Sequence, residues 1–428
     1  MRRTLTAMAG ASLTQAASLA IGGILASRLL GPHDRGLMVL GATSGSIASL
    51  VAALGTSHAL RARLPTLKDE SSRQRLLASY TWLTVAAVVL SGTLAAVACR
   101  VCGLTIDPGL AEPSFLLAVL LVTSGQIALV QFPDTWYAAG RFRTGSTWAA
   151  AVAAGGTGGL VLAALLLDRT AWALLAGQAI GMMTLAVAQA LHLRSSRLLV
   201  FAKPNRWETV RLLRSGIQSL SLTIGLALAL RADRYILGGA AGADVVGVYS
   251  TAATLSEAPR VVPAALGQIT YRKVTLGCET AEVDRTAFYA FLASLATGLP
   301  VAVAGWFLIT PVFGSAFADA KPLLLVLLLG ELLFAPFAVA SRGLLGGGWV
   351  GCAGLVGASG TVAALLLYSV TAPIWGAAGA AWSSALLYGG LSVASMTVLR
   401  SRLIWQRRQA PLPDAPASSD HGLQRVPN

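Results

Sequence analysis

Long apolar stretches alternate with short polar ones along nearly the whole chain. Stretches of about 20 apolar residues are long enough to cross the hydrocarbon of a bilayer as helices. Twelve such spans are predicted, at approximately 6–29, 37–60, 78–99, 114–138, 145–167, 171–193, 215–238, 245–270, 287–312, 322–344, 350–372 and 376–399. The first follows a basic start, "MRRTLTAMAG", but runs on too far for the apolar part of a signal peptide, so it is read as a retained span.

The polar stretches are mainly basic, and their charge alternates from loop to loop. Loops on one side hold 24 of the 32 Lys and Arg residues, among them Arg61, Arg63, Lys68, Arg141, Arg143, Arg194, Arg211, Arg272 and Arg285. The other side holds seven (Arg28, Arg35, Arg100, Arg169, Arg231, Arg234 and Lys321), and Arg260 falls within a span. By the positive-inside rule the basic side is cytoplasmic, and so are both termini.

Composition agrees. The chain is 55% hydrophobic and only 12% charged, with a mean hydropathy of +0.69. The net charge of +14 therefore reads as topogenic rather than as a nucleic-acid surface, because no soluble segment is large enough to carry one. Cys99 and Cys102 stand in C-x-x-C spacing, yet no second pair or nearby His completes a metal site. With Cys278 and Cys352 they are read as packing residues. No metal, cofactor or catalytic group is expected.

The basic stretch 194–214 divides the spans six and six. It gives a first lobe at 1–193, a linker at 194–214, a second lobe at 215–408 and a Pro/Ala/Ser-rich tail at 409–428, expected to be disordered. Within the linker, "RWETVRLLR" reads either as a short amphipathic helix on the inner leaflet or as plain connection. The lobes also repeat. Gln15 precedes Arg28 as Gln218 precedes Arg231, Gly36 and Gly247 open the following spans, and "AALG" ends at Gly55 and again at Gly267. With an even number of spans in each, the repeats run parallel, a plan that puts a substrate site between the lobes. Arg28 and Arg231 are then expected at similar heights.

Three stretches carry a resemblance: "ASRLLGPHDRGLMVL" (26–40), "GRFRTGS" (140–146) and "RADRYILGGAAGADVVGVYSTAATLSE" (231–257). They resemble the polysaccharide-biosynthesis flippases of the multidrug/oligosaccharidyl-lipid/polysaccharide superfamily, which includes MATE-like exporters and lipid II flippases. The resemblance implies an all-α polytopic membrane protein, with two six-helix lobes around a central cavity that opens alternately to each side. It further implies a lipid-linked glycan as cargo (an undecaprenyl-pyrophosphate oligosaccharide), the bacterial cytoplasmic membrane as location, and work beside a polysaccharide polymerase or glycosyltransferases. The alternatives are a MATE-like exporter of a small molecule or drug and, more distantly, a membrane-embedded glycosyltransferase or polymerase.

Candidate site residues follow from the cost of charge in a membrane. A charged side chain at mid-bilayer costs roughly 2.5–3.5 kcal/mol on insertion scales, so each needs a partner or a wet cavity. Arg231, Asp233 and Arg234 share "LALALRADRYILGG" and either line the cavity or snorkel at the helix end. In "SEAPRVVP", Glu257 and Arg260 are three apart and can pair on one helix face, while Pro259 and Pro263 bend the span. Lipid II flippases have a central-site arginine in span eight, which by analogy supports Arg260. Arg28 either binds phosphate or caps its helix. Asp134 and Glu331 are intramembrane carboxylates read as ion-coupling groups or as charge partners, like Glu257 and Asp233. Gln15, Gln126, Gln131, Gln178, Gln218 and Gln268 are candidates for lining a sugar-binding cavity.

Overall fold

Gly31 bends what would otherwise be one very long helix. Its backbone adopts φ 72° and ψ 174°, a region open to glycine with little strain, and Pro32 then starts a new helical run, as a first-turn proline does. In the computed structural model, which describes residues 2–409, this bend lies within α1 (Arg2–Ala53). The bend recurs at Gly242 (φ 85°, ψ 173°) in α8 (Ala232–Ser256) and, with a different ψ, at Gly376 in α12 (Val350–Gln409).

Nine helical runs among the described residues are long and apolar enough to cross a membrane. Three of them contain the bends at Gly31, Gly242 and Gly376, and each bend divides its run into two helical arms. Dividing those three runs at their bends gives twelve segments, the number of spans predicted from hydropathy. The first half comprises α1, the short α2 (Thr56–Arg63), α3 (Glu70–Thr105), α4 (Pro113–Ala138), α5 (Phe142–Leu166) and α6 (Ala171–Ser195). The second comprises α7 (Arg206–Ala229), α8, α9 (Val261–Thr275), α10 (Thr280–Phe313), α11 (Ala320–Gly346) and α12. The side chains of Arg2, Arg3, Gln218 and Arg407, and residues 410–428 altogether, lie outside the described residues.

Local chemistry sets several boundaries. Asp69 caps α3 by accepting from the Ser71 and Ser72 backbone amides at 3.3 and 2.9 Å. Hydrogen bonds from both hydroxyls hold its carboxyl below the usual carboxylate range. Asn205 caps α7 in the same way, through the amides of Trp207 and Glu208. That cap makes "RWETVRLLR" the opening turns of α7, neither a separate surface helix nor a plain linker.

Within the first half α5 packs on α6 and α1, and α4 on α6; within the second α11 packs on α12, α10 and α9. The glycines of "GGTGGL" let α5 and α6 touch backbone to backbone. A Cβ on Gly159 would stand 2.1 Å from the Gly177 carbonyl oxygen. Large apolar side chains such as Leu104, Leu166, Phe307 and Leu355 point outward, as helices surrounded by lipid require.

The interior is arranged unevenly between the two faces of the membrane. One core joins both halves around Leu37, Leu40, Leu237, Val246 and Tyr249, near the Gly31 and Gly242 bends. At the arginine-rich face the cores are separate, one around Leu60, Trp136 and Leu193, the other around Val274, Leu344 and Leu399. The halves are thus joined chiefly at the Gly31 face, through α1 and α8.

The bends also correct the repeat register. Gly36 and Gly247 each follow their bend by five residues. Arg28, however, precedes its bend by three residues and Arg231 by eleven, so at about 1.5 Å per residue Arg231 sits ~12 Å deeper. The expectation of similar heights fails because the shared glutamine-to-arginine spacing says nothing about distance to the bend. A break at Arg231 (φ −130°, ψ −10°) further separates α7 from α8.

Candidate functional site

Arg35, Met38, Val39, Ala42, Thr43 and Ser46 recur at positions i, i+3, i+4, i+7, i+8 and i+11, one face of the helix that follows the Gly31 bend. Ser250, Thr254, Glu257 and Val261 make a similar stripe along α8 and into α9. The two stripes face a cavity of about 430 Å³ between the halves. Arg231 and Arg234 line it as well, together with Gln126 of α4, Thr157 of α5 and Gln178 of α6.

Three guanidinium groups thus share this cavity with one carboxylate. Arg234 is buried; its Nη2 lies 3.7 Å from Glu257 Oε1, and its Nη1 donates to Thr43 Oγ1 at 3.3 Å. Arg35 is buried too, with 6% of its surface exposed. The Nε–H groups of both are shielded from solvent and have no hydrogen-bond partner among the described residues. An unpaired buried donor is costly, more so on a charged group. The site therefore favours an anion that accepts from several N–H groups at once, and the planar fork of arginine matches phosphate oxygens.

Hydropathy places Arg35 among the loop charges, whereas the structure places it on the cavity wall. Its helical spacing to Thr43 and Ser46 was the available signal, and the nearby Gly31 bend obscured it. Arg28 goes the other way. It is exposed at the end of the first crossing and is not among the residues lining the cavity.

Glu257 and Arg260, expected to pair with each other, take different partners. A 3₁₀ turn at Ala258–Arg260 interrupts the helix between them, with Pro259 inside it. Glu257 turns to Arg234, whereas Arg260 forms a two-pronged pair with Glu331 of α11. Tyr388 accepts a further Arg260 hydrogen bond at 3.2 Å, and the guanidinium lies 4.8 Å from the Phe334 ring centroid. Arg260 is thus committed to the second half, and the lining residues of the cavity do not include it.

The other carboxylates have partners of their own. Asp134 is paired with Arg61 of α2 towards the arginine-rich face, where Arg61 also stacks on Tyr137. Asp233 accepts from the Tyr249 hydroxyl at 2.7 Å and the Arg234 backbone amide at 2.8 Å. Tyr249 continues to Ser384 at 3.2 Å, and Ser384 to Tyr368 at 3.0 Å, a buried polar chain inside the second half. Of the candidate glutamines, Gln126 and Gln178 line the cavity, while Gln131 is fully buried and accepts from Thr84. No cluster of His, Cys, Asp and Glu suited to a metal ion occurs among the described residues.

The family model described as "Polysaccharide biosynthesis protein" matches residues 4–271. No curated protein sequence matches the chain significantly. The fold is similar to an inward-facing multidrug resistance MATE family transporter of the MOP superfamily, with TM-score 0.73 at 16% identity over 92% of this chain and 96% of that one. It is also similar to the lipid II flippase MurJ in an inward closed conformation, with TM-score 0.68 at 10% identity over 95% and 93% of the two chains. A third likeness is to a MOP superfamily transporter from Pyrococcus furiosus, described as having a binding pocket of reversed polarity, with TM-score 0.59 at 15% identity over 94% and 95%. At these identities the likeness concerns the fold.

Proposed function

Because this chain belongs to the polysaccharide biosynthesis protein family, we propose that it is an alternating-access flippase for a lipid-linked oligosaccharide, with undecaprenyl pyrophosphate as the carrier. The observation that carries this reading is the cavity between the halves, where Arg35, Arg231 and Arg234 face a single carboxylate, Glu257. The guanidinium groups bind the pyrophosphate. Gln126, Gln178, Ser46 and Thr157 offer hydrogen bonds to the sugars. A cavity of about 430 Å³ takes the charged head and the first sugar units, while the lipid tail stays in the bilayer.

Glu257 acts as the exchangeable partner. It holds Arg234 across 3.7 Å and yields it to a phosphate. Asp134 and Glu331 serve as fixed charge partners of Arg61 and Arg260. Asp233, within its buried hydroxyl chain, is the carboxylate proposed to couple transport to an ion gradient. The arginine-rich face is assigned to the cytoplasm by the positive-inside rule, so the shared core closes the outer side in this conformation.

A second reading, an exporter of a free small molecule, draws on the likeness to multidrug transporters. The excess of arginine disfavours cationic drugs and leaves an anionic cargo. Reconstitution in vesicles tests both readings. Transbilayer movement of an undecaprenyl-pyrophosphate glycan above empty vesicles, lost in Arg35→Gln and Arg231→Gln, supports the flippase. Movement no faster than in empty vesicles refutes it.

A further inference from the structure

At the Gly31 face the halves approach as closely as backbones can. A Cβ on Gly36 would meet the Ala243 carbonyl oxygen at 1.9 Å, and one on Gly247 would meet that of Pro32 at 1.9 Å. Ser27 bonds to Thr251 at 2.9 Å and Ser44 to Tyr235 at 2.8 Å across the same seam. At its rim, two residues past the bend, stands His33. Its Nδ1 lies 3.5 Å from Asp244 Oδ2 in the second half, and its Nε2 lies 3.6 Å from Asp107 Oδ2 in the first. Asp107 is itself fixed, since its Oδ1 accepts the Gly109 amide at 2.8 Å.

Each ring nitrogen of His33 thus faces a carboxylate. A neutral imidazole has one N–H and one lone pair, so one of its nitrogens would turn a lone pair towards a carboxylate. Only the imidazolium donates from both. The surroundings agree: Asp34 is adjacent on α1, Asp107 and Glu112 lie on the α3–α4 connection, and Asp244 lies on α8, while the Arg35 side chain lines the cavity instead. We propose that His33 is a proton-operated latch which ties the two halves together at the Gly31 face and, on losing its proton, frees them to part.

Histidine changes charge between about pH 5 and 8. The protonated ring holds the latch closed, and the neutral ring releases it. His33 and Asp244 keep 48% and 69% of their side-chain surface exposed, so water and salt screen the pair. An effect of about two- to fivefold on the ratio of open to closed molecules is expected. The proposal rests on the alternating opening argued above but not on the cargo, so a failed glycan assay and a failed latch are separate results.

The test uses the full-length protein in lipid nanodiscs, with the four native cysteines replaced by alanine and spin labels at Asp168→Cys and Ala318→Cys, one per half. Distances are recorded at about pH 5.5 and about pH 8. In the parent protein the long-distance population should rise about two- to fivefold with pH. His33→Gln should show the high-pH distribution at both values, and Asp244→Asn should lose most of the response. A parent distribution that ignores pH overturns the latch. So does a response that survives in His33→Gln or in Asp244→Asn.

Discussion

Gly36 and Gly247 lie against each other across the two halves, each positioned so that an added Cβ would strike the backbone of the opposite helix at 1.9 Å. The contact is reciprocal, as expected of repeats that meet at a shared axis. Both glycines follow a bend of nearly the same geometry, φ 72° and ψ 174° at Gly31 against φ 85° and ψ 173° at Gly242.

Gly36→Ala and Gly247→Ala should therefore hold the seam apart. Overpacking of a close contact typically costs about 1–3 kcal/mol, borne here by the joined conformation. Label distances across the Gly31 face should lengthen in either variant, and thermal unfolding in detergent should begin earlier. Unchanged distances in both would mean that this crossing does not seal the face.

Arg35→Gln removes a cavity charge while keeping a polar side chain of moderate size. A hydrogen bond to a charged group contributes about 1.5–3 kcal/mol, so glycan movement in vesicles should fall by about tenfold or more. Stability should hold or rise, because Arg35 shares the cavity with two other guanidinium groups. Loss of folding in place of loss of transport would make Arg35 a structural residue.

The Arg260–Glu331 pair should behave as structure. Removing one partner of a buried pair typically costs about 3–5 kcal/mol; the lower end applies, since Arg260 keeps a quarter of its side chain exposed. Glu331→Gln should lower the unfolding temperature clearly. The double variant Arg260→Met/Glu331→Met should recover most of that loss and retain transport. A stable but inactive double variant would return Arg260 to the substrate site.

At the arginine-rich face, Arg63 of α2 donates to Glu208 of α7 at 2.6 Å, with both side chains mostly buried. Glu208→Arg should loosen this contact by about 1 kcal/mol, seen as a longer label distance between α2 and α7. Adding Arg63→Glu should restore it. A double variant no closer than the single one would rule out the ion pair as the tie.

Hydropathy alone predicted twelve crossings because the burial that decides a span is local, set by about 20 consecutive residues against the thickness of a bilayer. Basic loops and the Gly36/Gly247 repeat were legible for the same reason, as was the family resemblance. The register of Arg28 against Arg231 was not. It depended on where the backbone bends, and Gly31 and Gly242 differ little from the many other glycines when read in one dimension.

The linear sequence determined that this chain is an all-helical membrane protein of two similar halves carrying intramembrane arginines. Only the tertiary structure decided which charges share a cavity. Sequence proximity offered Glu257 to Arg260, but a pair on one helix contributes only a few tenths of a kcal/mol. A 3₁₀ turn and two neighbouring helices outweighed it, giving Glu257 to Arg234 and Glu331 to Arg260. Arg35 moved from a presumed loop to the cavity wall because the helix after Gly31 turns its side chain inward. Charge partners in a membrane are chosen by packing in three dimensions, since an unpaired charge costs more there than any local preference supplies.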